Sequence, residues 1–457
     1  MPDSGTHEMK APASESQSSA NPFAAQQAAE PAAEPAAEPP AAEPATEPAA
    51  EQHPERLDLD LPDDVVIEEG SEAYRPGNFH PVYIGDIYNG KYLVLNKLGY
   101  GLYSTVWLVR DTSLPQDEGQ KYYALKVLSA DCYGTDKDIF EREILRHLRD
   151  ADKTHLGYKY ICHLVDDFEH CGPNGTHVCL VLELMGETLK TFGTLFNKTM
   201  IPNPLMRRFT FYLLAALDYA HDSNVIHTED IKPDNIFVKV RDSSLIESQY
   251  LKQVPAPVQD KLADKYYPIA SQPLTRFYFT PGQPILDFEV AIGDWGVSSW
   301  ADNHLTELIQ PVLLRAPEVL IKAPWDASTD WWNLGAVILE VFRCVRMFDG
   351  RAPPHGHYEL KQHLSEMVAY FGPFPRRLLD KGDAELVATC FDESGHVRGA
   401  PALEMPSLES DDYMDDLDQE IRKSFVSFLH ALMKIDPQER LSTMDLIRHP
   451  WLGIEGL

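Results

Sequence analysis

"KYLVLNKLGYG" (residues 91–101) and "STVWLVRD" (104–111) decide how the first half of this chain folds. Both runs are short, rich in β-branched and aromatic residues, and separated by a Gly-containing turn, which is the pattern of antiparallel strands. "KYYALKVLS" (121–129) and "HVCLVLELMG" (177–186) add two more strands. Between them, "DKDIFEREILRHLRD" (136–150) spaces Ile139, Phe140, Ile144, Leu145 and Leu148 at helical intervals. From Asn203 the pattern is helical: Phe209, Tyr212, Leu213, Ala216 and Leu217 share one face of "PLMRRFTFYLLAALDYAHDSN". Further helices are expected at about 328–344, 358–370, 417–434 and 443–449. Strands followed by helices predict an α+β protein with a small β-rich lobe joined to a larger helical lobe. The cleft between them is the natural ligand site.

Upstream, residues 25–52 ("AQQAAEPAAEPAAEPPAAEPATEPAAEQ") repeat Ala, Glu and Pro. Proline about every fourth position removes helix donors and drives its predecessor out of the α region, and there is little to bury. Residues 1–72 are therefore expected to be a disordered acidic tail. The 457-residue chain carries a net charge of −31. The tail has 17 acids against 2 bases, a net −15, which leaves −16 on the rest. An acidic folded part argues against nucleic acid as a direct partner and allows a basic one, although solubility alone accounts for such a charge equally well. No secretory leader and no membrane-spanning apolar run are expected, and six scattered cysteines without CxxC spacing fit a reduced compartment, cytoplasm or nucleus. Cys162, His163, His170 and Cys171 lack zinc-finger spacing.

Several residues stand out chemically. Gly99-Tyr100-Gly101-Leu102-Tyr103-Ser104-Thr105-Val106 lies between two strands, and its small residues would let backbone amides approach a polyphosphate. A plain hairpin turn accounts for it equally well. Lys126 sits in an apolar strand, where an ammonium is costly unless it meets an anion or faces water from an edge. Glu143, on the following helix, is its expected partner. "HTEDIKPDN" (227–235) packs Glu229, Asp230 and Asp234 into six positions, and "IGDWG" places Asp294 after a strand.

The ordered series of Gly-rich loop, strand lysine, helix glutamate, Asp-x-Lys-x-x-Asn, Asp-Trp-Gly and "APE" resembles the protein kinase signature set. "FHPVYIGDIYNGKYLVLNKLGYGLYSTVWLVRD", "IHT" and "HLTELIQ…RAPEVLI" narrow it to the SR-protein kinase group, in its fungal-type branch, over about residues 74–453. The resemblance implies a two-lobed protein kinase fold, with an N-lobe and hinge over 73–186 and a C-lobe over 187–453. Inserts are placed at about 241–286 and 372–420. The first, polar and Pro-containing between Asn235 and Asp294, reads as a surface excursion.

Carried over residue by residue, the resemblance implies ATP and Mg2+ as cofactors. Gly99, Gly101, Ser104 and Val106 would line the phosphate loop, and Lys126, paired with Glu143, would contact the α- and β-phosphates. The backbones of Glu183 and Met185 would bind adenine, Asn235 and Asp294 would hold magnesium, and Lys232 would face the transferred phosphoryl. Glu318 with Arg440 would brace the large lobe, and Asp330 would tie down the catalytic loop. Counting five back from Asn235 makes Asp230 the catalytic aspartate, with Asp234 a plain loop acid. His227 stands three residues before Asp230 where the family has two, as though Glu229 were inserted. Either a one-residue bulge restores the geometry or Thr228 takes the histidine's place; the bulge is the expectation.

The same loop lacks the arginine that receives an activation-loop phosphate, so activity without that modification is expected. Pro311, Val312 and Leu314 replace polar groups of the family's substrate platform. Residues 401–421 hold eight acids and no base, either a solvated loop or a surface for basic Arg/Ser-rich substrates. The expectation is a monomeric Ser/Thr kinase acting on protein substrates, without nucleic acid or membrane; the alternative is a pseudokinase scaffold.

Overall fold

A computed structural model describes residues 68–114, 121–133, 139–228, 231–352, 356–399 and 403–453. The expected strands form one antiparallel sheet in the order β1-β2-β3-β4-β6-β5. These are β1 (Ile87–Tyr88), β2 (Tyr92–Tyr100), β3 (Ser104–Asp111), β4 (Tyr122–Leu128), β5 (Leu164–Gly172) and β6 (Gly175–Glu183). α1 (Glu141–Asp150) turns Ile144, Leu145 and Leu148 inward, as its 3.6-residue spacing requires. The other sheet face buries Tyr92, Val94, Trp107, Leu125 and Val181.

After β6, β7 (Met185–Thr188) and the short α2 (Leu189–Phe192) lead into the helical lobe. Its axis is α3 (Asn203–Asp222), buried around most of its circumference, which is why its apolar residues exceed a single stripe. Two small sheets flank α3. β9 (Ile236–Lys239) lies between β7 and β10 (Val290–Ile292), and β8 (Val225–Ile226) pairs with β11 (Ser299–Trp300). After the insert turn α4 (Leu251–Gln253) come α5 (Pro317–Leu320), α6 (Ser328–Arg343) and α7 (Leu360–Phe371). α6 stops where Cys344 enters the left-handed region. The arrangement is the two-lobed α+β fold expected.

Two expectations change. The first insert is mostly exposed, as a surface excursion should be, but it is also anchored on the small lobe. Ile246, Tyr250 and Leu274 are buried against Leu108, Tyr122 and Leu184 of the small lobe. Further along, Gln259 donates to the Val82 carbonyl and accepts from the Ile84 amide, and Lys261 pairs with Asp86. The insert leaves the large lobe at β9, crosses the small lobe and returns to β10. Polar composition concealed this because few apolar residues make the contacts, with no period to reveal them. The second change is at the tail boundary, where Glu68 and Glu69 are bound to Lys97 rather than free. The disorder expected for residues 1–67 lies outside the described residues. No helix among the described residues is long and apolar enough to cross a membrane.

Candidate active site

Lys126 stands in the middle of β4, opposite Val106 of β3 and Leu180 of β6. A buried ammonium needs compensation, and two carboxylates supply it. Lys126 Nζ lies 2.6 Å from Glu141 Oε1 and 2.8 Å from Asp294 Oδ1. Burial works to lower the Lys126 pKa, but the Asp294 and Glu141 charges outweigh it and raise it. The Lys126 charge holds the Asp294 carboxyl below its ordinary value, against its burial. Burial pushes Glu141 up, with Asp294 adding to the push and Lys126 opposing it.

The pairing corrects the sequence expectation: the partner of Lys126 is Glu141, not Glu143. Glu143 faces outward, 3.4 Å from the Tyr133 hydroxyl. The signal was present in α1, since Glu141 precedes Ile144, Leu145 and Leu148 by three, four and seven positions and so shares their inward face. Glu143 does not.

Gly99 lies near the end of β2, and Gly101 opens the β2–β3 turn. The Gly101 amide donates to the Ser104 carbonyl at 2.8 Å, closing the loop. A Cβ on Gly99 would meet nothing within 4 Å, so that side of the strand is open. Ser104 is buried and Val106 half-buried beneath it. At the lobe junction, the Glu183 amide donates to the His163 carbonyl, and the Glu183 carboxylate pairs with Lys239 at 3.1 Å. Met185 is buried and pairs in register with Lys239.

The second cluster lies on the large lobe. Asn235 is buried, and its carbonyl accepts from the Gly293 amide at 2.9 Å, which brings it beside Asp294. Asp294 itself has φ 54°, a left-handed conformation unfavourable for a non-glycine residue. Gly293 is required before it, because a Cβ there would meet the Phe237 ring at 2.9 Å. Lys232 opens the turn Pro233–Asn235, and its charge helps hold Asp294 low. Asp234 points to Lys190 at 3.1 Å.

His227 is wholly buried. Its Nε2 donates to the Gly293 carbonyl at 3.1 Å, and its ring packs edge-on against Trp295 at 4.7 Å. Asp330, buried on α6, accepts from the His227 amide (3.0 Å), the Thr228 amide (3.2 Å) and His221 Nε2 (2.8 Å). Thr228 then takes φ 56° and donates to the Val297 carbonyl at 2.8 Å. So His227 and Thr228 are pinned immediately before Glu229. Glu229 and Asp230 lie outside the described residues. Behind the site, Arg440 and Glu318 form a buried two-bond ion pair at 2.6 and 2.7 Å. Of the eight acids in 401–421, Asp411, Asp415 and Asp416 face Arg422, Lys198 and Arg343.

The residues fit a metal-bound nucleotide. Magnesium prefers oxygen ligands and binds through one or two carboxylates plus phosphates. Asp294, though paired with Lys126, keeps 38% of its side chain exposed beside Asn235.

The sequence profile of the protein kinase domain matches residues 92–254 and 283–452, leaving part of the first insert unmatched. A serine/threonine protein kinase of Aspergillus fumigatus is 32% identical over 391 residues, spanning 85% of this chain and 91% of its own. The serine/threonine-protein kinase SRPK of Physarum polycephalum is 28% identical over 402 residues, with 84% and 91% covered. Protein kinase dsk1 of Schizosaccharomyces pombe is 27% identical over 477 residues, with 84% and 85% covered. A crystal structure of a kinase domain, that of PF14_0431, superposes with a TM-score of 0.56 at 22% identity, covering 81% of this chain and 98% of that one, a likeness of fold. With its Lys126–Glu141–Asp294 cluster and these relatives, the chain belongs to the protein kinase domain family, as a serine/threonine protein kinase of its SRPK-like group.

Proposed function

We propose that the protein transfers the γ-phosphoryl group of Mg-ATP to serine or threonine hydroxyls of basic, Arg/Ser-rich proteins. The observation that carries the ATP part is the Lys126 ammonium, held between Glu141 and Asp294 and in register with Val106 under the glycine turn. Phosphoryl transfer needs in-line positioning and charge neutralisation more than covalent help. Lys126 orients the α- and β-phosphates, the Gly99–Gly101 backbone covers them, and the Glu183 and Met185 backbones receive adenine. Asn235 and Asp294 hold magnesium, which neutralises phosphate charge when bound. Lys232 faces the transferred group. Asp230 accepts the hydroxyl proton, its loop anchored through Asp330.

The substrate class rests on similarity to the SRPK-named relatives and on the acidity of the chain, net −31. Direct nucleic-acid binding is not part of this reading, and the protein works as a monomer in cytoplasm or nucleus. The scaffold alternative is less favoured, because the lysine, its glutamate and the metal-site pair are all assembled.

The test is a radiometric assay with Mg-ATP, an Arg/Ser-rich peptide and a non-basic control. Strong transfer to the first and weak transfer to the second is expected. Nucleotide binding without transfer would favour the scaffold, and equal transfer would remove the Arg/Ser preference. Asp230→Asn should abolish transfer while Glu229→Gln retains most of it; equal loss would overturn the assignment of Asp230.

A further inference from the structure

β2 carries Gly99 and leads into Gly101, and its pairing within the sheet is irregular just before them. Its register with β3 shifts between Val94 and Asn96 and again between Lys97 and Gly99. On its outer side, β1 pairs only with Tyr92 and Leu93. Lys97 sits between the two shifts with a fully buried side chain. Its Nζ lies 2.7 Å from Glu68 Oε2, 2.5 Å from Glu69 Oε2 and 3.1 Å from the Ile269 carbonyl, with the Tyr100 ring 5.2 Å away. Its carbonyl accepts from the Gln272 amide at 2.7 Å.

Both carboxylates are held in turn. The Ser271 amide donates to Glu68 at 2.6 Å, and the Tyr74 hydroxyl donates to Glu69. Burial pushes Glu68 up, but the bonds from Lys97 and the Ser271 amide outweigh it and keep it below the ordinary value. Three separate segments, 68–69, β2 and insert residues 269–272, therefore meet at one ammonium two residues before Gly99.

We infer that Lys97 is a positioning residue for the nucleotide phosphates: clasped by Glu68, Glu69 and the insert, it holds the bulged strand that aims the Gly99–Gly101 turn. This rests on the Mg-ATP reading above. A buried charge with fixed acceptors has one favourable place, so the strand cannot shift sideways without leaving an ammonium or a carboxylate unpaired. Insert and N-terminal segment together brace the outer side of β2 beyond the reach of β1.

The test uses the full chain. Wild type, Lys97→Met, Glu68→Gln with Glu69→Gln, and the combined variant are compared by direct Mg-ATP binding and by steady-state kinetics, at a temperature where each remains folded by thermal melt. KM for Mg-ATP is expected to rise about tenfold both in Lys97→Met and in the paired glutamine variant, with kcat and peptide KM within about twofold of wild type. The combined variant should be no worse than the poorer parent, since both remove one clasp. Lys97→Arg, which keeps the charge, should recover most of the affinity. Unchanged KM for Mg-ATP would overturn the inference. So would an equal fall in every kinetic parameter tracking lost stability, or full additivity. If Lys97→Met does not fold, the two glutamine substitutions, which preserve shape, decide the matter by the same KM comparison. Wild type failing to bind Mg-ATP would instead sink the phosphoryl-transfer reading, and this inference with it.

Discussion

Glu141 and Glu143 lie two positions apart on one helix, and their side chains leave it in different directions. Glu141 is buried beside Lys126, whereas Glu143 is exposed. Glu141→Gln should therefore lower kcat/KM by about a hundredfold or more, because Lys126 loses the small-lobe carboxylate that holds it towards the phosphates and is left to Asp294 alone. Glu143→Gln should change it by less than about twofold, as surface substitutions usually do. Steady-state kinetics on the two variants checks the pairing directly. Arg440 gives a contrasting case. It joins Glu318 far from the glycine turn, bonding also to the Lys434 and Ser328 carbonyls. Arg440→Met should cost about 3–5 kcal/mol of stability by chemical denaturation. The folded fraction should keep near-normal KM for ATP.

The first insert poses its question for elements rather than for single residues. Tyr250 is fully buried, donates to the Gln272 carbonyl at 2.5 Å and packs on Phe277. Tyr278 lies so close over Gly186 that a Cβ there would meet its ring at 2.7 Å, and its hydroxyl donates to Glu187 at 2.8 Å. Tyr250→Ala should destabilise by about 3–5 kcal/mol, the range for emptying an aromatic site in a core. Were the insert a solvated loop, a melt would show almost no change. The catalytic-loop anchor makes a further prediction. Asp330 takes two backbone amides and His221, so Thr228 needs no phosphate-bound arginine to hold its place. Phosphatase treatment should leave activity within about twofold, since no new charge-assisted bond is being lost.

Strands, helices and the order of the chemical residues were legible in the sequence because each depends on short-range period or residue type. β2 to β4 and α3 show this. Glu141 was legible too, through its shared face with Ile144 and Leu148, but spacing to the lysine cannot be counted along the chain. The insert was illegible, its buried residues being few and irregularly spaced.

At the scale of the whole molecule, His80, His163 and His363 are the histidines that burial pushes down furthest. His80 is pushed down to about 3 by burial, then by His177 and His170 nearby. His163 falls to about 4 through burial, then Lys239, and His363 to about 4 through burial, then Arg315. Each would take a proton near pH 6.5 once unfolded. Their contribution is thus complete above that pH and is lost as pH falls towards about 4. By pH 5 the almost fully buried His80 and His363 should each cost about 2 kcal/mol. Thermal melts at pH 7.5, 6 and 5 should show Tm falling by more than about 5 °C across the series. A flat profile would contradict the neutral burial of these rings.

The sequence by itself determined the two-lobed α+β architecture, the chain order of glycines, lysine and acids, and the negative charge. Local periodicity, residue chemistry and simple counting suffice for these. Only the tertiary structure decided that Lys126 meets Glu141, that Lys97 is closed in by Glu68 and Glu69, and that the insert crosses the small lobe. Those depend on which segments, some separated by more than a hundred residues, come within a few ångströms, and the need to pair buried charge and cover apolar surface settles that for the molecule as a whole.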